Sequence, residues 1–410
     1  MRRATFKQSV LDYKYNSPTL SILERLYLNE FWGKVVYIYP LWLAPNVITC
    51  TGMLCVMIAY GFTMIYSPDL SGTMPSQLYC VNAVLFFLYQ TLDGSDGKQA
   101  RRTGSGSALG EIMDHGIDSI VTTFLAILTT DCFAFGIGSL WPWIFVIVAN
   151  LTFFLSNMTL VHSGRQKFFD MDVMEIQTVM ILTLLFTAVY GAEIFDSLSI
   201  PLPAMLHGVQ SDLFGLLTPE ESIDFSSGTL SFKMFIVFGG LIGCFFNYPQ
   251  YVFASVYPYF QSKENQPKHV QKNVPGSGLK SFAFHLLLIH TYVALWCLCV
   301  IRARQLPEHS GSALRAFAFV IAFSFADLIA RVLLMRVAQE PLPYVPTGLI
   351  PLPLFVLAAH NNVAVVFYWV IAASSVVIYY HCFAGIVVDI ADALGIQPFR
   401  IGTKKVTKSH

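Results

Sequence analysis

The sequence is poor in charge. Only 12% of its 410 residues are Asp, Glu, Lys or Arg, against about 25% in a typical soluble domain. That shortage excludes a large soluble enzyme, a disordered scaffold and a free nucleic-acid binder. Cysteine is sparse too: there are eight, none in a C-x-x-C pair. Neither a zinc site nor a disulfide framework is therefore expected. Positive charge is missing from residues 194–228, which hold several acids but no Lys or Arg. What the chain has instead is apolar surface, with 55% hydrophobic residues and a formal net charge of zero.

A spanning helix needs roughly 20 mostly apolar residues. Ten stretches qualify or nearly do: 43–66, 77–92, 110–136, 141–161, 174–192, 229–252, 281–301, 313–335, 348–360 and 363–388. The second and ninth are short. The runs are continuous rather than alternating, which argues against a β-barrel. An all-α, polytopic integral membrane protein with about ten transmembrane helices is expected. With the N-terminus in the cytosol, 21 of the 25 Lys and Arg fall on the cytosolic side. That asymmetry follows the positive-inside rule.

The first 42 residues carry charges throughout and do not resemble a cleavable leader. Within them, residues 18–37 interleave Leu, Ile, Trp and Phe with Glu, Arg and Lys, the pattern of an amphipathic helix lying on the cytosolic face. The expected organisation is an N-terminal segment (1–42), a catalytic core of spans one to six (43–261) and a polar loop (262–280). Four further spans (281–395) and a basic tail (396–410) follow. The last four spans are expected to support the core or to supply a homodimer contact.

Acids are scarce, so a cluster is informative. Asp93 and Asp96 are three residues apart, and Asp114 and Asp118 are four apart. On helices both spacings share a face, and the Gly/Ser-rich residues 103–107 can fold the two segments together. Four carboxylates cannot share a small site without cations. Oxygen-only ligation selects Mg²⁺ or Mn²⁺, and four carboxylates suit two metals arranged for phosphoryl displacement. Lys98 and Arg101 stand beside the cluster as phosphate clamps. Gly94, Gly97 and Ala100 leave room for a ligand.

The pattern D-x2-D-G-x2-A-R-x8-G-x3-D-x3-D is complete in Asp93, Asp96, Gly97, Ala100, Arg101, Gly110, Asp114 and Asp118. It resembles the signature of the CDP-alcohol phosphotransferases. The segments PLWLAPNVIT (40–49), DGKQARRTG and LGEIMDHGIDS resemble the eukaryotic choline/ethanolaminephosphotransferase branch. The resemblance implies an endomembrane enzyme, in the endoplasmic reticulum or a related membrane. It would transfer phosphoethanolamine or phosphocholine from CDP-ethanolamine or CDP-choline to diacylglycerol, releasing CMP. It implies two Mg²⁺ on the four Asp residues, and CDP contacts from Gly97, Ala100, Arg101 and Asn46. Asn46 has a plainer alternative role as a helix N-cap.

Two residues compete to take the hydroxyl proton. Asp118 is the usual assignment in the family, yet a carboxylate beside a dication is a poor base. His115 is favoured here, with Glu111 four residues earlier on the same face to orient it. Glu175, in D-V-M-E-I-Q, is expected either at the headgroup amine or in an interfacial salt bridge, with Asp172 beside it. His162 is expected to line the cytosolic cavity. Asp327 and Arg331 are spaced to pair. Two other functions stay open: a family member using inositol, serine or glycerol phosphate as acceptor, and a divalent-cation transporter.

Overall fold

The computed structural model describes residues 2–13, 19–167, 169, 173–202, 228–262, 264, 266, 278–306, 310–339 and 345–401. Asp172, most of the 262–280 loop and the tail from residue 402 lie outside the described residues.

The chain opens with α1 (Arg2–Leu11). A wide turn (Glu24–Leu28) then runs into α2 (Asn29–Val35). These elements show the amphipathic character expected of 18–37, although residues 14–18 lie outside the description. Trp32 is buried, whereas Leu26, Ile38 and Trp42 are 70%, 80% and 75% exposed. A Cβ on Gly94 would collide with the Trp32 indole. Gly94 therefore makes room for α2, and not for the ligand that its place in the motif suggested.

Eleven further helices follow: α3 (Pro45–Tyr66), α4 (Ser76–Thr103), α5 (Ala108–Asp131), α6 (Trp141–Ser163), α7 (Val173–Tyr190), α8 (Ile194–Ser197), α9 (Phe232–Val256), α10 (Leu279–Arg304), α11 (Ser310–Ala338), α12 (Pro351–His360) and α13 (Val365–Leu394). Between α8 and α9, β1 (Ser199–Pro201) pairs antiparallel with β2 (Thr229–Ser231), with Ile200 opposite Leu230. This small hairpin has no sequence signal stronger than its Ser and Pro residues.

Among the described residues, eight helices are long and apolar enough to cross a membrane. The protein is an all-α integral membrane protein. The two remaining expected spans are the short ones. One is the apolar half of α4, which continues without a break into the acidic motif to make a single 28-residue helix. The other is Thr347–His360, which is shorter than a full crossing.

Burial ranks the helices. In their most apolar windows, α5 is 83% buried and α11 78%, against 11% for α9 and 17% for α13. The first two form the centre of the bundle, and the last two present Phe245, Phe246, Val377 and Tyr380 outward, as lipid-facing helices do. α5 packs against α3, α6 and α11, and α11 against α13. Phe383 of α13 lies where a Cβ on Gly116 would stand, so α13 approaches α5 closely at that point.

Two polar locks hold the bundle. The expected Asp327–Arg331 pair forms at 2.9 Å, and Asp327 also accepts the Gly348 amide at 2.8 Å. At the far end of α5, Asp131 is fully buried. It accepts hydrogen bonds from Ser67 Oγ at 2.5 Å, Tyr79 Oη at 2.7 Å and the Gly72 amide at 3.0 Å. A buried acceptor in apolar surroundings is stable only when so satisfied. Asp131→Ala strands three donors, and each stranded donor costs about 1–3 kcal/mol. The expected result is a clear drop in the thermal midpoint of the detergent-solubilised protein; an unchanged midpoint would contradict this role.

Candidate active site

The site begins at the α4–α5 turn. Gly104 ends α4 with φ 63°, a left-handed conformation that glycine adopts without strain. The Ser105 amide returns to the Ala100 carbonyl at 2.9 Å. Ser107 then caps α5 by accepting the Gly110 amide at 3.3 Å. This reversal sets the acidic ends of α4 and α5 side by side.

Asp93, Asp114 and Asp118 each place one carboxylate oxygen within 4.8 Å of the other two. Asp118 Oδ1 accepts the Tyr89 hydroxyl at 3.0 Å, and Asp114 Oδ1 is buried without a partner. None of the three forms an ion pair among the described residues. Three facing carboxylates with an orphaned oxygen and no balancing side chain suit a hard divalent cation. Asp96 is close by and buried, but its Oδ2 accepts the Thr49 hydroxyl at 2.5 Å. The structure therefore gathers three of the four motif Asp residues in one group and leans the fourth on α3.

Asn46 is buried at the second position of α3. It is not the N-cap: Ala44 holds that place, with Pro45 next. Its Nδ2 donates to the Pro398 carbonyl at 2.8 Å, and its Oδ1 lies 3.9 Å from the Cβ position of Gly110. Arg101 is exposed, with Nη1 3.6 Å from the Cβ position of Gly97. Gly97 and Ala100 lie on this partly open surface. Lys98 turns away and donates to Asn29 Oδ1 at 2.5 Å. It holds the turn into α2 instead of standing over the acids as a phosphate clamp. Arg102 does similar work, donating to the Val36 and Tyr39 carbonyls at 2.8 and 2.7 Å.

The expected Glu111–His115 pair does not form. Glu111 is ion-paired with Arg336 of α11, whose guanidinium also meets the Tyr13 hydroxyl at 3.2 Å. A buried carboxylate takes the strongest available counter-charge, and a neutral imidazole cannot compete with a guanidinium. His115 Nδ1 instead contacts Asn157 Oδ1 of α6 at 2.8 Å.

Two peripheral residues, Glu175 and His162, sit in buried hydrogen-bond networks. Glu175 Oε1 accepts the Leu23 amide at 2.7 Å, and Glu175 is part of the wall of the cavity between α5, α6, α7 and α9. Nearby, burial raises the Glu24 carboxyl above its usual range, opposed by a hydrogen bond from the Ser21 amide. His162 is fully buried, hydrogen-bonded to Tyr259 Oη at 2.5 Å and to His285 Nδ1 at 3.1 Å.

Beside the acids lies a cavity of about 390 Å³ between α5, α6, α7 and α9. Its wall includes Thr122 and Phe153, and on α9 it is thinned by Gly239, Gly240 and Gly243. The Phe153 ring centroid is 6.5 Å from that of His115, and Thr122 is one helical turn beyond Asp118. An apolar chamber thus adjoins the acidic end of the bundle.

Comparison with known proteins agrees with this arrangement. Residues 42–209 match the CDP-alcohol phosphatidyltransferase family. Residues 42–209 are a domain of the CDP-alcohol phosphotransferase family. A Danio rerio protein named cholinephosphotransferase 1 is 36% identical over 187 residues, 45% of this chain and 48% of that protein. An Arabidopsis thaliana choline/ethanolaminephosphotransferase 1 is 39% identical over 132 residues, 32% of this chain and 34% of its own. An uncharacterised class-I member from Dictyostelium discoideum is 28% identical over 361 residues, 87% of this chain and 85% of that one. The matches thus span about half or less of the two named enzymes and most of the Dictyostelium protein. The family match takes in α3 to α7, the helices that carry every motif residue.

Tyr89 is a site residue that the sequence reading missed. It lies outside the motif, one helical turn before Asp93. Loss of a hydrogen bond to a metal-ligating carboxylate typically costs about 10–100-fold in metal affinity. Tyr89→Phe is therefore expected to weaken Mn²⁺ binding by about that factor in a titration followed by paramagnetic resonance. Wild-type affinity in the variant would remove Tyr89 from the site.

Proposed function

We propose that this phosphotransferase moves phosphoethanolamine or phosphocholine from CDP-ethanolamine or CDP-choline to the 3-hydroxyl of diacylglycerol. The products are phosphatidylethanolamine or phosphatidylcholine and CMP. The observation that carries the proposal is that the acidic cluster and the apolar cavity share α5, with Thr122 of the cavity wall one turn beyond Asp118 and Phe153 of the wall beside His115. A charged nucleotide needs the first surface and a two-chain lipid the second. Phosphorylated acceptors such as glycerol phosphate call for basic side chains, and the cavity wall has none.

Asp93, Asp96, Asp114 and Asp118 would hold two Mg²⁺, which Mn²⁺ could replace. When bound, the cations neutralise the pyrophosphate oxygens and the charge that develops on CMP. Gly97, Ala100 and Arg101 contact the CDP moiety, and Asn46 meets the nucleotide from across the site. The lipid hydroxyl oxygen attacks the β-phosphorus. A new P–O bond forms, the bond from that phosphorus to the bridging oxygen breaks, and its electron pair leaves with CMP. The hydroxyl proton goes to His115 Nε2. This nitrogen makes no hydrogen bond among the described residues, whereas Asp118 is engaged by Tyr89 and faces two other carboxylates.

The side bearing the α4–α5 turn faces the cytosol, in keeping with the Lys/Arg asymmetry. The membrane is that of the endoplasmic reticulum or a related organelle. Residues 43–261 hold the chemistry, and 281–395 buttress it.

Membranes from cells that lack this activity are the test system. Expression of the chain is expected to release CMP and form phospholipid from diacylglycerol and a labelled CDP-alcohol. Chelation with EDTA stops the reaction and added Mg²⁺ restores it. His115→Ala lowers kcat on the order of 10²–10⁴-fold, the usual contribution of a general base. Divalent-cation flux without CMP release would overturn the proposal.

A further inference from the structure

α6 presents two buried amides to α5, Asn150 and Asn157, one heptad apart. A buried amide in a spanning helix is either glue between helices or part of a functional site. The two differ in how completely they are satisfied. Asn150 Oδ1 accepts the Thr123 hydroxyl at 3.1 Å, but its Nδ2 is buried without a partner. Asn157 uses both ends: Nδ2 donates to the Phe153 carbonyl at 2.9 Å, and Oδ1 meets His115 Nδ1 at 2.8 Å.

That pair of contacts has one consistent set of protons. The Phe153 carbonyl can only accept, so the NH₂ end of Asn157 must face it. The oxygen end then faces His115, and an oxygen can only accept. Nδ1 therefore carries the hydrogen. In a neutral imidazole the other nitrogen, Nε2, is then the bare acceptor. Flipping the Asn157 amide would set oxygen against the Phe153 carbonyl and N–H against Nδ1, trading a bond for a repulsion.

We propose that Asn157 is the positioning residue that fixes the tautomer and ring orientation of His115, leaving Nε2 free to receive the proton of the acceptor hydroxyl. The inference rests on the reading of His115 as the base. It gives to α6 the orienting role that sequence spacing had suggested for Glu111. Asn157 is not itself a catalytic residue, because it acts through the imidazole.

The test uses the full chain in lipid nanodiscs with three variants. Asn157→Leu removes the acceptor at similar volume, Asn157→Asp keeps an oxygen facing Nδ1, and Asn150→Leu removes the neighbouring amide from the same interface. Expected for Asn157→Leu is a fall in kcat on the order of 10²-fold, with KM for the CDP-alcohol unchanged. Asn157→Asp keeps the acceptor at Nδ1 but sets its second oxygen against the Phe153 carbonyl, so it is expected to recover part of that loss. Asn150→Leu is expected to lower the thermal midpoint without lowering kcat. In ¹⁵N-histidine spectra, the resonances assigned through His115→Gln should show Nδ1 protonated in the wild type and a redistribution toward Nε2–H in Asn157→Leu. The proposal is overturned if both Leu variants lose activity only in proportion to their loss of stability. It is equally overturned if His115 keeps its tautomer in Asn157→Leu. Should the wild type release no CMP from any CDP-alcohol, the functional reading falls, while the spectra still decide whether Asn157 sets the tautomer.

Discussion

Three carboxylates facing one another at the edge of a membrane-embedded bundle are the constraint around which this protein is built. Such a group is unfavourable alone, because burial and mutual repulsion both oppose the charged forms. It persists because the surrounding helices cannot easily separate. Gly104 and Ser107 fix the reversal between α4 and α5, Tyr89 holds Asp118, and Thr49 holds Asp96. The most buried helix of the bundle carries two of the three acids. A scaffold that rigid keeps the charges close until a ligand of opposite sign neutralises them.

On the proposed function, the chamber next to the acids answers a different demand. A lipid chain needs space and an apolar wall, and neither can be marked by a reactive side chain. The protein supplies the space by omission: three glycines thin α9 where a larger residue would fill the gap. Polar residues recur on the same wall, among them Thr122, Gln177 and Asn247. The acidic cluster and the chamber meet at α5 and α6, so both surfaces are framed by the same two helices.

The sequence made the fold class and the acidic site legible, for a physical reason. Charge is so rare in a membrane chain that four acids at helical spacing stand out, and long apolar runs admit few other folds. The partners of those residues were not legible. Glu111 and His115 share a helical face, and local spacing proposed them as a pair. The structure shows that a guanidinium 225 positions away and an amide on the next helix are preferred. Lys98 sits inside the motif but serves α2. Gly94 looks like room for a ligand and is occupied by an indole. In each case the deciding contact is tertiary, and periodicity reports only on neighbours within one helix. Asn150 and Asn157 did leave a trace, two amides one heptad apart in an apolar helix, which is the kind of pattern that deserves an explanation in a membrane span.

The ion pair between Glu111 and Arg336 also bears on modularity. The family match ends at residue 209, yet the counter-charge for a buried acid inside it comes from α11. Excising residues 42–209 would leave that carboxylate uncompensated, a loss typically worth about 3–5 kcal/mol. The sequence boundary of the family is therefore not an electrostatic boundary. The two halves of the chain share a single balance of charge, and the second half is part of the environment in which the first half's acids exist.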